Sequence, residues 1–181
     1  MTEFTNEEIA NLKKDLDKNL EKFFKDNDIN VEKPIDIFEV LNKQKFSVYY
    51  ADLKKFDGAV IIDESVDSVL GFDNNKIMVV NSNLSYEDSV FTLAHELAHF
   101  LASKWLKPTS KLQVEFREHS KKGARNDTEN LIDFIAASIL LPKEPFINIL
   151  SRFEINSFIA FSNVIEFWYN EYKNIPLNIV P

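Results

Sequence analysis

His95, Glu96 and His99 carry the chemistry this sequence offers, spaced His-Glu-x-x-His. Side chains four residues apart on an α-helix point the same way, so both imidazoles can reach one ion, for Zn²⁺ at about 2.0–2.1 Å. Glu96 follows the first imidazole by one residue and lies further round the helix. It does not easily join the same ligand set, but it can take a proton from water beside the ion. Two surface histidines four apart by accident would be a rare coincidence in a chain with only 3 His. The flanking residues sharpen the point. Val90 to Ala102 read VFTLAHELAHFLA, and the polar exceptions Thr92, His95, Glu96 and His99 fall on one stripe, extended by Asp88 and Ser103. A helix apolar on its other sides is normally buried. The stripe is therefore carried into a low-dielectric interior, where imidazoles and carboxylates need partners or a metal.

A catalytic zinc site usually has three protein ligands and one open position. The HExxHxxGxxH arrangement is excluded, because Ala102 holds its glycine position and Trp105 its last histidine position. With no cysteine, the third ligand must be a histidine or a carboxylate: His119, Glu115, Glu118, Asp127, Glu129 or Asp133. Glu129 ranks first. It opens an otherwise apolar helical segment, with Asp133 one turn further on the same face and the small Ala136 and Ala137 continuing it. Glu129 could take the metal while Asp133 accepts the free ring N–H of one histidine and fixes its tautomer. An acidic residue in a first helical turn is favourable on its own account, however. His119 is the rival, as third ligand or as a cation stabilising an oxyanion, although beside Lys121 and Lys122 it also reads as an ordinary loop histidine. On chemistry alone the choice stays open.

These residues need helices to position them, and the pattern supplies them. Thr5 or Asn6 caps a helix to about Asn27, with Ile9, Leu12, Leu16, Leu20, Phe23 and Phe24 on one face. Pro34 fits the first turn of a helix from Ile35 to about Lys45. Phe46–Leu53 and Ala59–Asp63 read as strands, with Asp57-Gly58 a turn between them, and Val69–Phe72 with Lys76–Asn81 as a hairpin. Ser85 to Asp88 resembles a capping box for the His-Glu-x-x-His helix, which should fray near Lys104. Lys111–Arg117 reads as a short strand or extended loop, and Thr128 as the N-cap of a second buried helix ended by Pro142. Helices are expected from Lys143 to about Arg152 and from about Ser157 to Tyr172. The aromatic residues Phe158, Phe161, Phe167, Trp168 and Tyr169 there are expected to be core.

The chain of 181 residues is long enough for one domain with a real core and short for two. The expected domain is 1–181, with helices and a small sheet to about 84, metal-binding helices to about 142 and C-terminal helices beyond. The net charge of −8 argues against direct binding of nucleic acid or anionic membrane. The absence of cysteine, of a signal pattern and of a spanning apolar run suits a cytoplasmic protein.

Two motifs together resemble the ImmA/IrrE family of metallopeptidases. Phe91 to His99 read FTLAHELAH, close to that family's FTLAHELGH-like helix, and Glu129 to Pro142 read ENLIDFIAASILLP, similar to its E-x-x-A-N-x-F-A-A-x-L-L-M-P segment. Asn81 also stands where the family tends to have an asparagine. The departures are Ala98 for Gly, Ile132-Asp133 for Ala-Asn and Ile135 for Phe. The likeness is firm over about Lys76 to Pro142. It implies an α+β, mainly helical zincin-like fold with a small N-terminal sheet beside the helix, zinc on His95, His99 and Glu129, and Glu96 as the base. It also implies a protein substrate, a helix-turn-helix repressor of the Xre type encoded near a mobile element or in a stress operon. A substrate segment could lie along Lys76–Asn81 if that strand is a sheet edge. The alternatives are a zinc-stabilised antirepressor that binds without cutting, and a metal-free structural domain.

Overall fold

The computed structural model describes residues 5–32, 35–63, 75–106, 112–118 and 127–142, with 112–118 as backbone only. The strand expected at Val69–Phe72, His119, and the helices and aromatic group expected beyond Pro142 lie outside these residues.

Helix α1 (Asn6–Asp26) starts at a reciprocal capping box. The Thr5 hydroxyl accepts the Glu8 amide, and the Glu8 carboxylate accepts the Thr5 amide. Its Ile9, Leu12, Leu16, Leu20, Phe23 and Phe24 are buried, as the spacing predicts. Helix α2 (Ile37–Lys43) is shorter at both ends than expected. Asp36 takes its cap, accepting the Phe38 amide at 2.9 Å.

Four strands form one mixed sheet: β1 (Ser47–Ala51), β2 (Phe56–Asp63), β3 (Lys76–Asn81) and β4 (Leu112–Glu118), in spatial order β1-β3-β2-β4. Strand β1 runs parallel to β3, and β2 runs antiparallel to β3 and to β4. Two expectations need correction here. Strand β3 is paired on both sides, so Lys76–Asn81 is no edge and cannot accept a substrate strand. The edges of the described sheet are β1 and β4, and β4 comes from beyond the long helix rather than from the N-terminal half.

Asp57-Gly58 is not a turn either. Both residues lie within β2, whose register with β4 slips between Phe56 and Gly58, so that Asp57 is the extra residue of a bulge. The chain reverses earlier, where the Asp52 carboxylate accepts the Lys54 amide at 3.0 Å and Lys54 takes a φ of 58°. Buried Asn81 clamps this reversal. Its Nδ2 donates to the Lys54 and Phe56 carbonyls at 3.3 and 2.8 Å, and its Oδ1 accepts the Asn83 amide at 3.1 Å.

Helix α3 (Tyr86–Leu106) begins after Ser85, whose Oγ accepts the Asp88 amide at 3.1 Å and donates to the Asp88 carboxylate at 2.8 Å. Helix α4 (Asp127–Leu140) opens one residue before Thr128, which therefore sits in its first turn and is not its N-cap. Helix α3 is the centre of the molecule, packed against β2 and β3 on one side and α4 on the other, with α1 and α2 also touching it. Its Ala94, Ala98 and Ala102 are fully buried, as is Ala136 of α4, and small residues let neighbouring elements come close. Ala137, expected on the same face, points to solvent. Phe100 meets Phe46 edge-on at 5.1 Å, and the Lys76 ammonium lies over both rings while donating to the Gln44 carbonyl. Among the described residues no helix is long and apolar enough to cross a membrane.

Candidate metal centre

Helix α3 offers its polar residues to two different neighbours. Thr92 and Glu96, one turn apart, lie over β2 at Gly58. His95 and His99, further round, meet the start of α4, where Glu129 and Asp133 stand one turn apart. The 3.6-residue period thus sorts one polar stripe into a pair against the sheet and a pair against a helix.

The His95 Nδ1 lies 2.8 Å from Asp133 Oδ1. An ionised carboxylate only accepts, so the proton belongs to Nδ1. A neutral His95 then presents a bare lone pair at Nε2. That atom is 3.1 Å from His99 Nε2 and 3.3 Å from Glu129 Oε2, while His99 Nε2 is 3.7 Å from Glu129 Oε1. One ligand atom from each of His95, His99 and Glu129 lies within 4.8 Å of the other two.

Lone pairs and a negative charge gathered this closely repel unless a cation sits among them, either a proton on an imidazole or a metal ion. Ligands about 2.0–2.1 Å from a tetrahedral ion stand roughly 3.3–3.4 Å apart, and the observed separations straddle that value. Two imidazole nitrogens and one carboxylate also form a donor set suited to a first-row divalent ion. The residues present fit a metal.

Glu129 is held below the ordinary glutamate value of 4.5. Without a metal, a proton on His95 Nε2 takes the place of the ion, and the hydrogen bond it makes to Glu129 is the largest cause; burial works against it, and the positive charges of His99 and His95 reinforce it, with Asp133 opposing. Glu129 is therefore a carboxylate, the ligating form, throughout the neutral range. His95 and Glu96 are each 1% exposed, whereas the Glu129 side chain retains 23% and Asp133 17%. The centre is thus more open to solvent on the α4 side than on the α3 side.

Of the third-ligand candidates from the sequence, the fold brings Glu129 to the histidines and sets Asp133 behind His95. The side chains of Glu115, Glu118 and Asp127, like His119, lie outside what is described. One contributor was missed by reading the sequence. A Cβ on Gly58 would stand 2.5 Å from Thr92 Cγ2 and 3.6 Å from Glu96 Cγ. The available signal was a glycine within a β-rich run, which can mark close approach of another element as readily as a turn.

Residues 41–159 match the IrrE N-terminal-like domain of peptidase family M78, a span that takes in the whole sheet, α3 and α4. Neither the curated proteins nor the solved structures returned a match. With a His–His–Glu cluster able to bind a metal inside the matched span, the chain belongs to the IrrE N-terminal-like domain family, M78, of metal-dependent peptidases.

Proposed function

We propose that this protein is a zinc-dependent endopeptidase of the cytosol that cuts a helix-turn-helix repressor of the Xre type and so relieves repression of a mobile-element or stress operon. The observation that supports it best is the convergence of His95, His99 and Glu129 beside a buried glutamate on the same helix. Their sequence context, FTLAHELAH followed by ENLIDFIAASILLP, supports the regulatory substrate by analogy with the family.

In this reading His95, His99 and Glu129 hold the ion. Bound there, zinc would supply Lewis acidity, polarising the scissile carbonyl and easing ionisation of water to a pKa of about 7. Glu96 takes the proton of the attacking water on its carboxylate and returns it to the leaving amine nitrogen. Asp133 accepts the His95 Nδ1 proton, which leaves Nε2 free as a ligand and fixes the ring plane.

The test is co-expression with a neighbouring Xre-type repressor, followed by incubation of the purified pair with and without a zinc chelator. A truncated repressor that appears only with metal is expected; a repressor intact under every condition overturns the proposal. Asp133→Asn gives a second, graded test. It leaves the side-chain size unchanged but weakens the hold on the His95 ring, so zinc affinity should fall by about 10–100-fold. Competition against a coloured chelator measures it, and an unchanged affinity would remove Asp133 from the site.

A further inference from the structure

Gly58 sits in the middle of a sheet, where glycine is a poor choice. It weakens a strand through backbone entropy and gives neighbours nothing to pack on. Its backbone does not need glycine, since its φ lies outside the left-handed region. What it provides is space. Alternate residues of a strand share a face, so Gly58 lines up with Val60 and Ile62, both buried. Opposite it on β3 stands Val80, with no exposed surface. Helix α3 crosses this face at Thr92 and Glu96, and an added Cβ at 58 would come within 2.5 Å of the Thr92 methyl. Thr92 is itself buried in a helix hemmed in by the sheet and α4, so the methyl has little room to retreat. The next contacts are the Val79 carbonyl oxygen at 3.4 Å and the Glu96 Cγ at 3.6 Å, both ordinary packing distances. The Thr92 methyl, not the Glu96 side chain, excludes a Cβ here, and the turn of α3 that carries both residues can seat this deeply only because residue 58 has no side chain.

We propose that Gly58 is a positioning residue for Glu96: by letting α3 seat on β2 through Thr92, it sets where the Glu96 carboxylate stands relative to His95, His99 and Glu129. The bulge at Asp57 brings Gly58 into phase with that helix face, and Asn81 fixes the bulge by holding the Phe56 carbonyl. This rests on the reading of Glu96 as the base. The histidines face α4 rather than β2, so a helix pushed off β2 at residue 92 and pivoting on its α4 contacts displaces the base more than the ligands.

The test compares Gly58→Ala, Thr92→Ser and the double variant, using zinc affinity by chelator competition, urea unfolding, and initial rates of cleavage of the Xre-type repressor over a range of concentrations. Thr92→Ser removes only the methyl that the new Cβ would strike. Gly58→Ala should lower kcat per folded molecule by about 10–100-fold, the scale of an ångström-sized misplacement, with KM and zinc affinity nearly unchanged. Thr92→Ser in the same chain should restore most of the rate and most of the stability, a coupling that independent sites do not show. A loss of rate that merely follows the folded fraction, or no rescue by Thr92→Ser, overturns the proposal. If Gly58→Ala does not fold, the double variant decides: folded with near wild-type kcat and zinc affinity it supports the proposal, and unfolded or slow it overturns it. A wild type that cleaves nothing fails the peptidase reading and this proposal with it. A cleaving wild type matched by an equally fast Gly58→Ala fails the proposal alone.

Discussion

Glu96→Gln is expected to keep zinc and lose cleavage by at least the 10²–10⁴-fold that a general acid–base group typically contributes. Glutamine has almost the same shape as glutamate, and Glu96 fits a closed space between α3 and Gly58 with 1% of its surface exposed. The substitution therefore removes a proton acceptor without opening a cavity or moving the histidines. It also exchanges a buried carboxylate for a neutral amide of nearly the same volume. The variant should unfold at a urea concentration close to that of the wild type, which separates lost chemistry from lost structure. Zinc content by elemental analysis should match the wild type. If the variant cleaves the repressor at the normal rate, Glu96 is not the base. If neither form cleaves but both relieve repression, the protein acts as a zinc-stabilised antirepressor, and the buried glutamate is a structural group.

Much of this arrangement is legible in the sequence, for a physical reason. Helix α3 is marked by a local pattern: a Ser–Asp cap at its start, an apolar surround and a polar stripe whose period is that of the helix. Helix α1 is equally legible through Thr5, Glu8 and the recurrence of Ile9, Leu12, Leu16 and Leu20. Local interactions settle such elements, so a local reading suffices. The sheet was less legible because strand neighbours depend on contacts far apart in sequence. Lys76–Asn81 has an apolar run consistent with an edge or an internal strand, and only the arrival of β1 and β2 on its two sides makes it internal. Asp57-Gly58 has the composition of a turn, yet the reversal lies a few residues earlier, where Asp52 and Asn81 bind the backbone. The third ligand fell between these cases. The pairing of Glu129 with Asp133 on one helix face was visible as spacing, but the approach of that face to His95 is a tertiary fact. The packing of Ala94, Ala98 and Ala136 accompanies it and could not be read as contact from spacing alone.

Glu129→Gln carries the largest expected effect on the metal. Unlike Asp133, which acts through the His95 ring, Glu129 presents its own oxygens to the two Nε2 atoms at 3.3 and 3.7 Å. Its loss should therefore weaken zinc binding beyond the about 10–100-fold expected for an outer partner, leaving two imidazoles that cannot retain the ion against a moderate chelator. The same variant tests the electrostatics without metal. The carboxyl of Glu129 is depressed in the folded state, chiefly by the His95 hydrogen bond. A folded-state value below the unfolded one means that the stabilisation is complete above the ordinary value of 4.5 and is lost as pH falls through the folded value. Metal-free wild type should accordingly be the more stable of the two at neutral pH, and the two urea midpoints should converge in acid. The group is partly exposed, so solvent screening keeps that gap small compared with the effect on zinc. Midpoints that differ by the same amount at every pH would mean that Glu129 stabilises the fold by packing rather than by charge. Retained zinc in Glu129→Gln would mean that the ion takes its third ligand elsewhere in the chain.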